Sequence, residues 1–318
     1  MRITEIISKL NKPAFSFEIL PPLKGRGIGQ IFRNIDSLME FKPLYVNITT
    51  HRSELIYKST SDGLYQRVSE RSRPGTVAVA AAIQQKYDIT AVPHIICSGF
   101  SKLETEYALI DLNFLGITNL LVLRGDKAKH ESRFVPNENG HSHASELIDQ
   151  INGFNEGKFI DGTKMDIVSD NKFTFGVAGY PEKHDEAPNL DMDIAWLKNK
   201  VDKGAEYIVT QMFFDNNKYY SFVEKCRQAG ITVPIIPGIK PITTAGQLTI
   251  LPKVFHVDIP TELANELCKC KNDDEAKAIG VEWCSAQTKD LIANGIKNIH
   301  FYSLNATSSV IKVAKNIF

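Results

Sequence analysis

Eight short, almost wholly apolar runs recur along the chain, and helical patterns that stop at a glycine lie between them. The runs cover residues 15–19, 44–49, 91–97, 119–124, 173–180, 207–213, 233–239 and 298–304. Continuous apolar character marks a strand covered on both faces, and such strands belong to parallel sheets. Parallel neighbours need crossover connections, which the intervening helices supply. The helical pattern over 103–115 stops at Gly116, that over 191–203 at Gly204, the one after Asn216 at Gly230, and the one from Asp273 to about 294 at Gly295. Glycine there suits the left-handed residue that ends a helix. Pro74 is expected at the first helical position before Val77, Ala80 and Ala81.

Eight strand–helix units in 318 residues predict the α/β class. The expected form is a single (β/α)8 TIM barrel over residues 1–318, with extra helices and a long excursion after the fourth strand. An open doubly wound sheet is the competing architecture, but its phosphate-binding fingerprint is missing. Gly25-Arg26-Gly27-Ile28-Gly29 reads G-x-G-x-G behind Pro21-Pro22, and there is no G-x-x-x-x-G-K-[ST].

Charge narrows the partners. Lys and Arg number 37 against 37 Asp and Glu, so the net charge is zero. That argues against nucleic acid or an acidic membrane as partner. No apolar run approaches the roughly 20 residues of a membrane span, and Met1-Arg2-Ile3-Thr4-Glu5 does not open a signal peptide. The five cysteines are an odd number for a disulfide framework, and Cys268-Lys269-Cys270 lacks the second pair of a zinc site. Structural thiols, a reducing cytoplasmic location and no metal are expected. Two Asn-x-Thr triplets, at Asn47 and Asn305, carry no meaning in that setting. A homo-oligomer is compatible with the sequence. The polar stretch between Asp126 and Phe173 holds His130, His141 and His143 and one helix candidate over 143–154. It is expected to run over the surface.

In a barrel, chemistry gathers where strands end. Side chains alternate along the first run, so Ser16 and Glu18 share one face while Phe15, Phe17 and Ile19 share the other. If the aromatics meet helices, Glu18 points inward, where poor solvation raises its pKa toward that of a general acid. A buried structural ion pair is the plainer alternative. The fourth run ends Leu123-Arg124-Gly125-Asp126: Arg124 offers a fork for phosphate or carbonyl oxygens, Gly125 admits a planar ligand, and Asp126 accepts hydrogen bonds. A simple Arg–Asp salt bridge accounts for the same residues. Gln211 sits in an apolar run and needs a partner that a ligand could provide, whereas Phe213 and Phe214 read as core by default, with one of them bordering a flat ring system as the alternative. The sixth run has no lysine for Schiff-base chemistry, and no G-x-S-x-G is present.

Taken in order, these segments resemble one family. Phe17-Glu18 with Pro21-Pro22, Pro93-His94, Leu123-Arg124-Gly125-Asp126 and Ala178-Gly179-Tyr180-Pro181-Glu182 are similar to motifs of methylenetetrahydrofolate reductases. So are Lys200-Val201-Asp202-Lys203-Gly204-Ala205, Thr210-Gln211-Met212-Phe213-Phe214-Asp215, Ile236-Pro237-Gly238-Ile239 and His300-Phe301-Tyr302-Ser303-Leu304-Asn305. The resemblance spans the chain and is to the short bacterial form that is a catalytic domain alone. It implies a barrel that holds FAD and reduces 5,10-methylenetetrahydrofolate to 5-methyltetrahydrofolate with NADH or NADPH. Folate and nicotinamide would take turns on one flavin face. It places the acid on Glu18 and the flavin contacts on Thr49, His94, Arg124, Gly125, Asp126, Tyr180, His184 and Lys200. Folate contacts fall on Asp126, Gln211 and Gln247, and Asp126 is assigned a catalytic part as well.

Three residue departures stand out, beside an excursion over 127–172 that is longer than usual for the family and could cover the adenine end of the cofactor. Thr50-His51-Arg52 replaces a usual Tyr-Gly-Ala, Asn199 stands where a flavin-binding Arg is common, and Ala306 stands where an Arg often meets the folate. Two rival readings are a proline-oxidising flavin barrel and a ligand-binding barrel without activity.

Overall fold

Each of the eight apolar runs contains a strand, and most of the strands are shorter than the runs. The computed structural model of the chain describes residues 1–128, 131–304 and 306–318. His130 of the excursion and Asn305 of the second Asn-x-Thr triplet lie outside the described residues. The strands are β1 (Ala14–Ile19), β2 (Tyr45–Ile48), β3 (Glu54–Ser59), β4 (Tyr65–Glu70), β5 (Thr90–Ile96) and β6 (Asn119–Leu123). They continue with β7 (Thr174–Gly179), β8 (Tyr207–Thr210), β9 (Ile235–Ile236), β10 (Gly238–Ile239) and β11 (Asn298–Tyr302). Nine of them follow the order β10-β11-β1-β2-β5-β6-β7-β8-β9. Pro237 divides a single strand into β9 and β10, because proline has no N–H to give the ladder. The Pro237 carbonyl still accepts the His300 N–H at 2.9 Å. The nine segments are therefore eight strands alternating with helices, the (β/α)8 TIM-barrel class.

The residues group into two compact units, one of Met1–Ile19, Arg33–Asn47 and Thr174–Phe318, the other of Leu20–Phe32 and Ile48–Phe173. In the first, β11 pairs in parallel with β1, Ser16 opposite His300 and Glu18 opposite Tyr302. On its other side β11 pairs with β10, Gly238 opposite His300 and Ile239 opposite Phe301. Phe15 and Phe301 meet edge-on at 5.5 Å, and Phe318, just after the helix Thr307–Ile317, lies 5.1 Å from Phe15. The phenylalanines thus face the helix layer, and strand alternation turns Ser16, Glu18, His300 and Tyr302 the other way. Ser16 Oγ and His300 Nδ1 are 2.9 Å apart on that face. Beyond β8, Met212 and Phe214 pack with Ile242, Leu251, Leu263 and Leu267.

In the second unit β5 pairs with β6, His94 opposite Leu121. The helix Lys102–Phe114 starts at Ser101, whose Oγ accepts the Glu104 N–H at 3.2 Å while the Glu104 carboxylate accepts the Ser101 N–H at 2.7 Å. This reciprocal cap satisfies two end donors. Pro74 does not begin the helix Thr76–Tyr87: Gly75 is extended and stands at its N-cap, so the first turn starts two residues later. The strands β3 and β4 form an antiparallel hairpin, Glu54 opposite Glu70 and Ser59 opposite Tyr65, for which the sequence reading has no counterpart. Ser61-Asp62-Gly63 between two β-prone runs was the available signal.

Candidate active site

Strand β1 carries Glu18 into the inward layer, and the carboxyl is only 5% exposed. Burial pushes its pKa from 4.5 up to about 8, against a smaller pull from the Lys240 ammonium. The Ser303 hydroxyl donates to the Glu18 carbonyl and pins the strand end. Lys240, absent from the sequence reading, directly follows β10 and is 7% exposed. Between the two, Tyr302 donates its hydroxyl to the Thr210 carbonyl at 2.6 Å. Gly238 makes room for this: a Cβ there would sit 2.3 Å from the Thr210 oxygen and 2.6 Å from the Tyr302 ring.

A second group of site residues lies after β7. The Tyr180 and His184 rings meet edge-on at 4.8 Å. The His184 N–H donates to the Asp193 carboxylate at 2.9 Å, and Lys200 Nζ donates to the Ala178 carbonyl at 3.1 Å. Asp193 and Lys200 share the helix Leu190–Asp202. Burial lowers the Lys200 pKa to about 8, with Asp193 opposing the change. Asp193 is a further residue that sequence reasoning missed, since its part depends on the loop it ties down. Glu182 is pushed up to about 7, mainly by burial, and accepts the Asp258 N–H at 3.2 Å.

Two predicted residues have local partners. Gln211 does not await a ligand to satisfy its carbonyl: Oε1 accepts the Met212 N–H at 2.9 Å, because the strand has ended at Thr210 and the chain turns. Gln247 opens the helix Gln247–Phe255 and accepts the Thr243 N–H at 2.7 Å. Phe213 stacks on Tyr219 at 5.4 Å, so it and Phe214 are core.

The second unit holds the remaining predicted residues. Thr49 Oγ1 lies 3.4 Å from His51 Nε2, and the Thr50 hydroxyl donates to the carbonyl of buried His94. Ser98 Oγ donates to the Asp126 carbonyl at 2.6 Å, while the Asp126 side chain is exposed. The Arg124 guanidinium lies over the Phe134 ring at 4.7 Å. Arg52 reaches Ser98 Oγ at 3.4 Å and Glu131 at 3.8 Å, and its buried Nε has no hydrogen-bond acceptor among the described residues. Gly125 has φ +80°, and a Cβ there would meet that of Ser98 at 2.9 Å. Its backbone, before any ligand, requires glycine. Two guanidiniums, the Thr49 hydroxyl and a buried unmet N–H fit a phosphate-bearing group such as FAD, because guanidinium forks match phosphate oxygens.

The His-x-His pair is occupied otherwise: His141 Nε2 lies 2.6 Å from Gln150 Oε1, and His143 lies 3.3 Å from Glu146. Among the described residues no cluster of three His, Cys, Asp or Glu could hold a metal ion. All five cysteines are unbridged, and burial holds Cys97, Cys226 and Cys284 up at about 12. No described helix is long and apolar enough to cross a membrane.

The motifs and the fold agree with what the chain is similar to. The family described as methylenetetrahydrofolate reductase matches residues 2–317. A protein of Arabidopsis thaliana named methylenetetrahydrofolate reductase (NADH) 1 is 32% identical over 321 residues, covering 98% of this chain and 49% of that protein. The 5,10-methylenetetrahydrofolate reductase of Escherichia coli K12 is 31% identical over 306 residues, covering 95% of this chain and 89% of that one. The chain thus spans about half the length of the plant relative and most of the bacterial one. An uncharacterized protein from Clostridium thermocellum, whose structure binds two copies of 5-methyl-5,6,7,8-tetrahydrofolic acid, superposes with TM-score 0.55 at 14% identity over 98% of both chains. That likeness concerns the fold. With a match from its second residue to its penultimate one, the chain belongs to the methylenetetrahydrofolate reductase family.

Proposed function

We propose that the chain reduces 5,10-methylenetetrahydrofolate to 5-methyltetrahydrofolate with NADH or NADPH, holds FAD, and acts as one catalytic domain over residues 1–318. The observation that carries this reading is the buried Glu18 carboxyl with a pKa of about 8, which keeps its proton at neutral pH. An acid in that state suits opening of the methylene bridge, which needs a proton on a folate nitrogen before the carbon becomes a hydride acceptor. Glu18 gives that proton and becomes a carboxylate.

FAD, when bound, supplies hydride transfer between the two substrates. The chain's own residues bind and orient. Lys200 and His184 would hold the pyrophosphate, and the Arg124 guanidinium would offer a planar fork for its oxygens. Thr49, His94, Gly125 and Tyr180 line the flavin. Arg52, from the departing Thr50-His51-Arg52 segment, offers a positive charge that Asn199 cannot. Asp126 accepts hydrogen bonds from the pterin. Gln211, its carbonyl held by Met212, presents its amide nitrogen to folate and to nicotinamide in turn. Gln247 contacts the folate.

The test begins with an absorbance spectrum of the purified protein and an anaerobic titration with each nicotinamide. A yellow protein bleached by NADH or NADPH is expected. In Glu18→Gln, bleaching should persist while reoxidation by methylenetetrahydrofolate collapses by a factor on the order of 100 or more. Both half-reactions equally slowed, or both intact, would remove the acid role.

A further inference from the structure

Lys240 stands in Ile236-Pro237-Gly238-Ile239-Lys240-Pro241-Ile242, a cation inside an otherwise apolar segment. Lysine is seldom fully buried without a charge partner, because an ammonium loses its hydration there. The register says where it is. β10 and β1 flank β11; Ile239 is level with Phe301 and Glu18 is level with Tyr302. One residue on from Ile239, Lys240 reaches the level of Tyr302, so Glu18, Tyr302 and Lys240 form one row across three adjacent strands. Two strand spacings of about 4.8 Å separate the outer backbones. A lysine and a glutamate side chain together span that gap.

The other titratable neighbours do not carry charge. Tyr302 is held far above its ordinary value by burial and gives its proton to the Thr210 carbonyl as a hydrogen bond. His300, one level below, is pushed down to about 3 by burial and is bonded to Ser16. Burial lowers Lys240 as well, with Glu18 and then Cys284, on the helix Asp273–Ala293, opposing that change; burial holds the Cys284 thiol itself up at about 12, so it stays neutral.

We propose that Lys240 is the positioning counter-charge of Glu18, taking up the negative charge that the carboxyl acquires when it hands its proton to the substrate. This rests on Glu18 being the acid. Removing Lys240 takes away a positive charge that favours the buried carboxylate, and proton donation would be opposed. Lys240 transfers no proton in this account. It makes the deprotonated state of Glu18 reachable at neutral pH and fixes the pH at which the acid is spent.

The test compares the parent chain with Lys240→Met, Lys240→Arg and Glu18→Gln by two readouts. The first is the infrared carbonyl stretch of protonated Glu18, identified by its loss in Glu18→Gln and titrated against pH. In Lys240→Met the midpoint should move up by about one pH unit or more, and in Lys240→Arg it should return toward the parent. The second is the pH profile of folate-dependent reoxidation, whose alkaline limb should move with the infrared midpoint. An unmoved midpoint in Lys240→Met overturns the proposal while leaving Glu18 as acid. Intact reoxidation in Glu18→Gln overturns the acid reading instead, whatever Lys240 does. Should Lys240→Met not fold, Lys240→Gln carries the same comparison.

Discussion

Glu18→Gln should make the protein more stable, and more so as the pH rises. The side chain is 5% exposed, so its charge is not screened by solvent. Burial moves its pKa from 4.5 to about 8. The folded state therefore holds the proton more tightly than the unfolded chain does. A group raised in this way contributes stability fully below pH 4.5 and loses that contribution as the pH climbs to about 8. Each pH unit of the interval is worth about 1.4 kcal/mol, so the whole interval is about 5 kcal/mol and roughly 3 of it is already lost by pH 7. Glutamine has nearly the same shape and no charge at any pH, so the variant lacks this slope.

Urea denaturation of both proteins, followed by circular dichroism at pH 5, 7 and 9, reads the difference directly. At pH 5 the two should agree within about 1 kcal/mol, and at pH 9 the variant should lead by several. Groups that titrate over the range without interacting with Glu18 act alike in both proteins and cancel; Lys240, which Glu18 holds up, does not. A gap that stays constant from pH 5 to pH 9 would show that the carboxyl is not held protonated, and the reasoning about the acid would fall with it. A gain in stability together with a loss of folate-dependent reoxidation would identify Glu18 as a group retained for chemistry at the expense of the fold.

Three further outcomes are expected. Gly125→Ala forces a side chain into a left-handed backbone with Ser98 Cβ at 2.9 Å, and should cost about 1–3 kcal/mol in thermal or urea unfolding; an unchanged midpoint would mean that the turn tolerates a Cβ. Lys200→Met should weaken flavin retention in gel filtration. It should also be stabilising below pH 8, with the advantage fading toward pH 10, because a lysine lowered to about 8 sheds its buried charge over that range. Asp126→Asn should slow folate-dependent reoxidation about 10-fold or more while the flavin absorbance is retained; loss of flavin instead would make Asp126 a cofactor-binding group only.

What the sequence discloses is what local physics controls. Helix ends at Gly116, Gly204, Gly230 and Gly295 are legible because each adopts positive φ, from +68° to +106°, that side chains resist. The inward turn of Glu18 is legible because Phe15 and Phe17 alternate with it and apolar rings claim the helix side. The β3–β4 hairpin is not, since residues such as Tyr57 and Tyr65 stay exposed and no burial enforces its alternation. Nor are Asp193 and Lys240. Asp193 owes its role to the conformation of the loop at His184, nine residues back, and Lys240 to a carboxyl far away in sequence that is brought level across β11. A charge in an apolar run signals that a partner exists without saying which.

The groups at the centre of the proposal also share a direction. Glu18 rises to about 8, Glu182 rises to about 7, and Lys200 falls to about 8. Burial drives all three toward neutrality and brings their titrations close to physiological pH, where a change of protonation costs little. A fold selected for stability alone would replace such groups with apolar ones of similar size, which is often neutral or stabilising. Their retention in the inward layer beside β1 and in the segment after β7 is more economically explained by proton handling and anion binding than by packing. Lys240 fits the same logic with opposite emphasis. It is costly by itself, and it is useful only if the carboxyl beside it must at some point become negative.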